Sequence, residues 1–291
     1  MRTVAVLGPG GVGGLVAGAL TRAGVPTTVV AREETAARLA RDGLRVRSVR
    51  LGDFQVDVRA VARLEEPVDL LVVATKATGL RDALARVVAA PGLVVPLLNG
   101  LDHLAVLRER WPERVCAGVI RVESDRPEAG TIVQTSPSLR IDLAPDTPET
   151  EAAAHLLRGA EIPTKVNFSE PDVMWRKLVR LNALACTTTA FAAPLGAIRS
   201  HPRQRLALEG AVSETAAVAQ AEGAYVEAGD VLGELAEAHP ELTSSMARDV
   251  AAGREPELDA IPGAVLRAAE RHGLPCPTVA DLVAGIRQRL D

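Results

Sequence analysis

The sequence predicts an α/β domain followed by an all-α domain, and three observations support this fold class. Short apolar runs without polar alternation recur in the first half of the chain, which is typical of strands buried on both faces of a parallel sheet. A glycine-rich turn follows the first of these runs. From residue 171 to residue 290, one helical pattern succeeds another without a convincing strand. We therefore expect domains at residues 1–167 and 168–291.

Residues 3–32 contain a strand, a glycine turn, a helix and a second strand in close succession. The glycines have the spacing G-x-G-x-x-G. The first allows a tight turn, the second admits a pyrophosphate, and the third lets the helix pack closely on the strand. This context predicts a Rossmann-type dinucleotide-binding domain. The residues expected at the cofactor are Gly8, Pro9, Gly10, Gly11, Val12 and Gly13.

The end of the second predicted strand, residues 27–30, indicates which dinucleotide is bound. An NAD site usually has an acidic residue there, which accepts a hydrogen bond from the ribose 2′-hydroxyl. This chain has Arg32, whose guanidinium suits a 2′-phosphate, and then Glu33. If Arg32 were only a solvated surface residue, Glu33 would be the ribose ligand of an NAD site. We favour NADPH.

Hydrophobic patterns predict further helices and strands, several of which end at glycine or proline. In the first domain we predict helices at residues 15–23, 33–42 and 80–90 and strands at 68–74, 93–98, 115–122 and 131–143, with extra strands between 44 and 61. In the second domain we predict helices at 205–222, 232–238, 242–252, 261–271 and 279–290. Lys76 follows a buried strand, at the strand end where open α/β sheets bind ligands.

Composition excludes several classes of protein. An apolar fraction of 47% argues against disorder, and a net charge of −4 without a basic block argues against nucleic acid as a partner. The three cysteines match no metal or redox spacing, so we expect small buried side chains. Two uncharged runs, residues 3–21 and 181–198, contain glycine or proline and polar residues, which are unsuited to a membrane span. We expect a cytoplasmic protein that does not bind membranes.

Five short motifs occur in order along the chain: TK at residues 75–76, LNG at 98–100, MWRKL at 174–178, TSSM at 243–246 and GREPELD at 253–259. With the glycine turn, they resemble the ketopantoate reductase (2-dehydropantoate 2-reductase) family over essentially the whole chain. The resemblance implies an N-terminal Rossmann domain, a helical C-terminal domain, and reduction of a 2-keto acid with NADPH.

The resemblance also implies roles for individual residues. Lys177 would be the general acid, and Glu257 would lie next to that lysine and the hydroxyl of the substrate. Asn99 would lie between the nicotinamide ribose and the substrate, Ser245 would bind substrate, and Lys76 would lie by the cofactor. Each has a plainer reading without the resemblance: Lys177 as a solvated helix face, Glu257 as a helix cap, Asn99 as part of a turn.

The chemistry suits these residue types. Hydride transfer to a ketone leaves a developing alkoxide, and a nearby ammonium stabilises that charge and then supplies the proton. A carboxylate beside the ammonium keeps it charged and oriented.

One departure concerns the helix that carries Lys177. The family usually has Asn four residues after this lysine and often again four residues later, whereas this chain has Leu181 and Ala185. Asn182 comes one residue late and would point roughly 100° away on an ideal helix. Either a local bulge brings Asn182 round to bind substrate, or the amide contact with substrate is absent.

We expect an NADP-dependent oxidoreductase of pantothenate biosynthesis that converts 2-dehydropantoate (ketopantoate) to pantoate. One alternative is reduction of a different keto acid or an imine on the same scaffold, which the departure at Leu181 suggests. Another is a non-catalytic NADPH-binding protein, which would need neither Lys177 nor Glu257. The Ala-rich helical domain could also bury the interface of a homodimer.

Overall fold

A computed structural model describes residues 3–290 and divides into two compact units. The N-terminal unit comprises the chain up to Leu98 together with Asp102–Val173, and the C-terminal unit comprises Asn99–Leu101 and the chain from Met174 onward. The predicted boundary lies at residues 167 and 168, whereas the first unit ends at Val173 and the segment Asn99–Leu101 groups with the second unit. Asn99 thus belongs to the same unit as Lys177.

The first sheet of the N-terminal unit is wholly parallel and has the strand order β5-β2-β1-β6-β7. Four of its strands are fully buried, as the apolar runs of β1, β6 and β7 predict, and only β5 is partly exposed. From the central strand β1, the chain first forms β2 and β5 on one side of β1 and then β6 and β7 on its other side. A topological switch point therefore lies between β1 and β6. The strands are β1 Val4–Leu7, β2 Thr27–Val30, β5 Arg59–Val61, β6 Leu70–Val73 and β7 Leu93–Pro96.

The second sheet is mixed and has the order β10-β9-β3-β4, with the long β8 pairing antiparallel to β9. Its strands are β3 Leu44–Ser48, β4 Phe54–Val56, β8 Ala117–Glu128, β9 Thr131–Ala144 and β10 Thr164–Val166. Helix α1, Gly11–Arg22, contacts strands of both sheets. A β-carbon on Gly14 would crowd Ile132, and one on Gly18 would crowd Val46, so the small residues of α1 allow this double contact.

The remaining helices of the N-terminal unit are α2 Glu33–Asp42, α3 Leu80–Leu84, α4 His103–Arg110 and α5 Pro148–Gly159, with a 3-10 turn at Ala77–Gly79. The predicted helix at 80–90 is wrong beyond Leu84. The amide of Val88 instead donates to the carbonyl of Leu64 at 2.8 Å, and Val87 forms a parallel bridge with that residue. Pairing between distant segments overrides local helical pattern there.

The C-terminal unit consists of helices joined by turns and loops, without a strand among its described residues. Its core is built from Ala, Leu and Val, with Trp175 as a large aromatic member. The helices are α6 Glu170–Ala190, α7 Leu195–Ser200, α8 Pro202–Ala221, α9 Ala228–Glu237, α10 Ser245–Ala251, α11 Ala264–His272 and α12 Pro277–Arg287, with a π turn at Asp259–Gly263. The predicted fold class, Rossmann-type α/β followed by all-α, is confirmed. Within residues 3–290, every helix is too short or too polar to cross a membrane.

Candidate active site

The glycine turn, residues 8–13, joins β1 to α1 with the backbone geometry that its spacing predicts. Gly8 has φ +92°, a conformation that favours glycine, and its amide donates to the carbonyl of Val30 at 3.0 Å. A β-carbon on Gly13 would overlap the carbonyl oxygen of Gly8, whereas one on Gly10 would meet nothing within 4 Å. The turn is therefore tight at Gly8 and Gly13 and open at Gly10, where a pyrophosphate needs to approach the backbone.

The start of α1 leaves backbone amides for an anion. Gly10 occupies the N-cap position with an extended backbone, and the structure gives no capping side chain there among the residues it describes. Helix N-termini carry a partial positive charge and unsatisfied N–H groups, both of which favour phosphate. Pro9, within the turn, is buried, and Val12 packs against the core of the N-terminal unit. These residues fit the pyrophosphate of a dinucleotide.

Ser124 holds the same turn from the second sheet, a contact that sequence reasoning missed. Its hydroxyl donates to the carbonyl of Gly11 at 2.8 Å, and a β-carbon on Gly11 would overlap the backbone of Ser124. The pairing of β8 with β9 shifts register between Val122 and Ser124, which marks a local irregularity at this place. Gly11, a glycine at a variable position of the G-x-G-x-x-G motif, was the one sequence signal for this close contact.

Two further predicted residues follow strands of the first sheet. Lys76 is exposed and lies after β6, in the turn before the 3-10 segment. Its neighbour Thr75 approaches Gly8 through its methyl group, and the buried Thr75 hydroxyl has no hydrogen-bond partner among residues 3–290. Arg32 is exposed at the end of β2 and forms the N-cap of α2. An unsatisfied hydroxyl and an exposed guanidinium near the switch point suit a polar ligand.

In the C-terminal unit, Asn99 bridges the predicted acid and the predicted carboxylate. The Lys177 ammonium donates to Oδ1 of Asn99 at 3.0 Å, and Nδ2 of Asn99 donates to Oε2 of Glu257 at 3.1 Å. An ammonium only donates and a carboxylate only accepts, so this orientation of the amide is the one that satisfies both bonds. Glu257 is buried, whereas Lys177 and Asn99 are partly exposed. We call this trio the amide bridge.

Asn182 does not contribute an accessible amide, which corrects its predicted role in substrate binding. It is fully buried, and its Nδ2 donates to the hydroxyl of Thr215 at 2.9 Å while Cys186 donates its thiol to Oδ1 at 3.4 Å. Helix α6 runs without a bulge from Glu170 to Ala190, so residue 182 keeps the ideal helical direction. Of the two alternatives left by the sequence, the structure favours the loss of that amide contact.

Ser245 is exposed at the first position of α10, and the helix start is fixed by its neighbour Ser244. The Ser244 hydroxyl accepts from the amide of Ala247 at 3.0 Å and lies 2.9 Å from the hydroxyl of Thr188 on α6. Thr188 itself donates to the carbonyl of Leu184 at 2.6 Å. The Thr188 proton is thus in use, so Ser244 donates to Thr188, and a directed chain of hydrogen bonds joins α10 to α6.

All three cysteines are free and buried. Burial raises the pKa of Cys186 to about 12 and that of Cys116 to about 12, and it raises the pKa of Cys276 to about 11. Thiols with such values are not thiolates at neutral pH, and they behave as small apolar side chains. The described residues contain no cluster of three or more His, Cys, Asp or Glu side chains that could hold a metal ion.

The chain matches two family profiles that together span most of its length. Residues 4–146 match the profile described as ketopantoate reductase PanE/ApbA, and residues 172–289 match its C-terminal counterpart. The chain belongs to the ketopantoate reductase family. The predicted family and the predicted oxidoreductase class are both confirmed.

Relatives of known sequence and structure agree with this assignment. A 2-dehydropantoate 2-reductase of Halobacterium salinarum is 31% identical, with 96% of this chain and 97% of the relative covered. The crystal structure of 2-dehydropantoate 2-reductase from Geobacter metallireducens superposes with a TM-score of 0.90 at 26% identity, over 98% of this chain and 99% of that one. A D-mandelate dehydrogenase solved with NADH has a TM-score of 0.87 at 19% identity and shares the fold.

Proposed function

We propose that this protein reduces 2-dehydropantoate to pantoate with NADPH, with Lys177 as the general acid. The observation that carries the proposal is the amide bridge, in which Lys177 donates to Asn99 and Asn99 donates to Glu257. A protein that only bound a dinucleotide would not need an ammonium held by an amide and a buried carboxylate. The family and the named reductases among the relatives support the same substrate.

The amide bridge donates the proton of the reaction and stabilises the negative charge that develops on the substrate oxygen. When bound, NADPH supplies a hydride to the keto carbon, and the carbonyl oxygen becomes an alkoxide. The Lys177 ammonium stabilises that negative charge and transfers a proton to the oxygen, which completes the hydroxyl group. The amide of Asn99 orients the ammonium, and Glu257 keeps the amide turned by accepting from its NH₂ group.

The N-terminal unit supplies the cofactor residues. The backbone amides of the glycine turn would bind the pyrophosphate, and Arg32 would form charge-assisted hydrogen bonds with the 2′-phosphate that distinguishes NADPH from NADH. Lys76 would add a further cation for the cofactor. For the substrate we retain Asn99 and Ser245 as proposed ligands, without Asn182.

The two alternatives are not favoured. The sequence relatives at 30–31% identity are named 2-dehydropantoate 2-reductases, which favours this substrate over another keto acid or an imine and favours an enzyme over a non-catalytic NADPH-binding protein. A homodimer and a cytoplasmic location stay predictions. A ketopantoate reductase from Staphylococcus aureus, which has the same fold and is 20% identical to this chain, is described as dimeric. Sedimentation of the purified protein tests the oligomeric state directly.

The test of the proposed function is NADPH oxidation by the purified protein with 2-dehydropantoate, with NADH in a parallel assay. We expect rapid oxidation of NADPH, slow oxidation of NADH, and pantoate as the product. A panel of other 2-keto acids, compared by kcat/KM, checks the substrate. If NADPH binds but no keto acid is reduced, the proposal is wrong, and the two alternatives left are reduction of an imine and non-catalytic binding of NADPH.

A further inference from the structure

Gly100 lies against the backbone of Ala260 with no room for a side chain. Its φ of +83° is in the left-handed region, and a β-carbon there would overlap the Ala260 carbonyl oxygen and lie 2.9 Å from its carbonyl carbon. The neighbouring atoms belong to backbone, which cannot rotate away as a side chain can. Gly100 is also buried. Two independent features therefore require glycine directly after Asn99.

Ala260 belongs to the π turn Asp259–Gly263, and Pro262 accounts for this turn. In an α-helix the amide of residue 262 would donate to the carbonyl of Leu258, but proline has no N–H group. The amide of Gly263 takes this place instead, at 2.9 Å, which makes the wider bond of a π turn. Ala260, whose carbonyl lies against Gly100, is part of this widened turn.

The π turn and Glu257 are part of one continuous segment. The amide of Ile261, within the turn, donates at 3.0 Å to the backbone carbonyl of Glu257, the residue whose carboxylate accepts from Asn99. The segment thus contacts the Asn99-Gly100 pair twice, through the Glu257 side chain and through the Ala260 backbone. Two contacts fix both the position and the direction of the Asn99 amide.

We propose that Gly100 is a positioning residue, whose contact with Ala260 in the π turn holds the Asn99 amide between Lys177 and Glu257. The inference rests on the proposed reductase function and adds to it a cause for the geometry of the amide bridge. The bonds of Asn99 are 3.0 and 3.1 Å long, and a displacement of about 1 Å away from either partner would break the bond to that partner. Misplacement of this size at a catalytic group costs about a hundredfold in rate.

The test compares Gly100→Ala with Gly223→Ala. Gly223 has φ +86° in the same unit, and a β-carbon there meets nothing within 4 Å, so the control carries similar backbone strain without the overlap. We expect Gly100→Ala to lower kcat by about tenfold or more, with a smaller change in the KM for NADPH. On the alkaline side of the pH profile, the kcat of Gly100→Ala should also begin to fall at a lower pH than the kcat of the wild type. The reason is that Lys177 loses an acceptor that favours its charged form.

Gly223→Ala should keep the kcat and the pH profile of the wild type, even if both variants lose thermal stability. If the two variants have equal kcat and equal pH profiles, the inference is wrong. Failure of the wild type to reduce any keto acid would instead contradict the proposed function, so the two failures are distinguishable.

Pro262→Ala is the second variant, for use if Gly100→Ala does not fold. It supplies the missing N–H group at residue 262 and allows the turn to tighten. Pro202→Ala is its control, because Pro202 lies at the first position of α8, where an amide has no helical acceptor. We expect Pro262→Ala to lower kcat several-fold and to shift the pH profile in the same direction, with no such change for Pro202→Ala. A wild-type kcat and pH profile for Pro262→Ala would overturn the inference.

Discussion

The Asn182 amide donates to the hydroxyl of Thr215 at 2.9 Å, and both residues are fully buried in the C-terminal unit. Thr215 uses its own proton for the carbonyl of Ala211 at 2.7 Å, so its oxygen is free to accept from Asn182. The pair joins α6, which carries Lys177, to α8. Buried amides that are satisfied in this way contribute to fold specificity and are costly to remove.

We expect Asn182→Ala to lower the free energy of unfolding by about 1–3 kcal/mol, because Thr215 loses a buried donor. The KM for 2-dehydropantoate should stay close to that of the wild type. Urea unfolding and steady-state kinetics measure the two quantities. Thr215→Val and the double variant complete a cycle that isolates the hydrogen bond. A tenfold or greater rise in KM without loss of stability would restore Asn182 as a substrate ligand.

Local sequence signals were sufficient for most of the fold. Strands β1, β6 and β7 are short apolar runs, and the glycine turn requires special backbone geometry at Gly8, so both are visible in consecutive residues. The helix predicted at 80–90 was wrong beyond Leu84, because Val88 pairs there with Leu64, which lies 24 residues earlier in the chain. The helix α5 was missed although Thr147 caps it and Pro148 occupies its first turn, signals that were present in the sequence.

The site was less accessible to sequence reasoning. Asn99, Lys177 and Glu257 lie far apart in the chain, and only the resemblance to a family suggested that they act together. Nothing in their local sequence indicates that the amide of Asn99 joins the other two side chains. The contact of Ser124 with Gly11 and that of Gly100 with Ala260 depend on tertiary packing, which residue spacing does not encode.

Lys177 offers the most direct test of the catalytic role. We expect Lys177→Ala to lower kcat by about a hundredfold or more, because the alkoxide loses its proton donor. Lys177→Arg should not restore the rate, since a guanidinium does not release its proton in proteins. Arg176→Ala is the control, because Arg176 is exposed beside Lys177 and donates to the backbone of Tyr225. An unchanged kcat for Lys177→Ala would remove this lysine from the mechanism.

Arg32 should determine the preference for NADPH. We expect Arg32→Ala to raise the KM for NADPH by about tenfold or more and to leave the KM for NADH nearly constant, because only NADPH has the 2′-phosphate. Arg41→Ala is the matched control, since Arg41 lies on the same helix and pairs with Asp42. Equal effects on both cofactors would contradict the role of Arg32 and would favour Glu33 as the ribose ligand.

Ser244 should act on the substrate through the start of α10. Ser244→Ala removes the N-cap and breaks the chain to Thr188, so we expect a loss of about 1 kcal/mol in stability and a higher KM for the keto acid. The KM for NADPH should not change. Ser213→Ala is the control, because this exposed serine donates within its own helix, α8, to the carbonyl of Glu209 at 2.9 Å. If Ser244→Ala changes stability alone, Ser245 is not a substrate ligand positioned by this helix start.

Glu222 should make stability depend on acid pH. Burial acts to raise the pKa of this carboxyl. His272 and Arg271 donate hydrogen bonds to it at 2.8 and 2.9 Å, and these bonds together with the positive charges of the two residues outweigh burial, so the pKa is lowered. A carboxyl with a lowered folded pKa stabilises the protein above its unfolded pKa, and this stabilisation is lost as the pH falls through the folded value.

We therefore expect Glu222→Gln to melt at a lower temperature than the wild type near neutral pH, and the difference to shrink as the pH falls below about 4. Thermal unfolding of both proteins across this range is the measurement. Glu209→Gln is the control, since Glu209 forms an exposed pair with Arg205 at 3.6 Å on a single helix, and such pairs contribute little. A difference in melting temperature that stays constant from about pH 7 to about pH 3 would mean that Glu222 acts through packing and not through its charge.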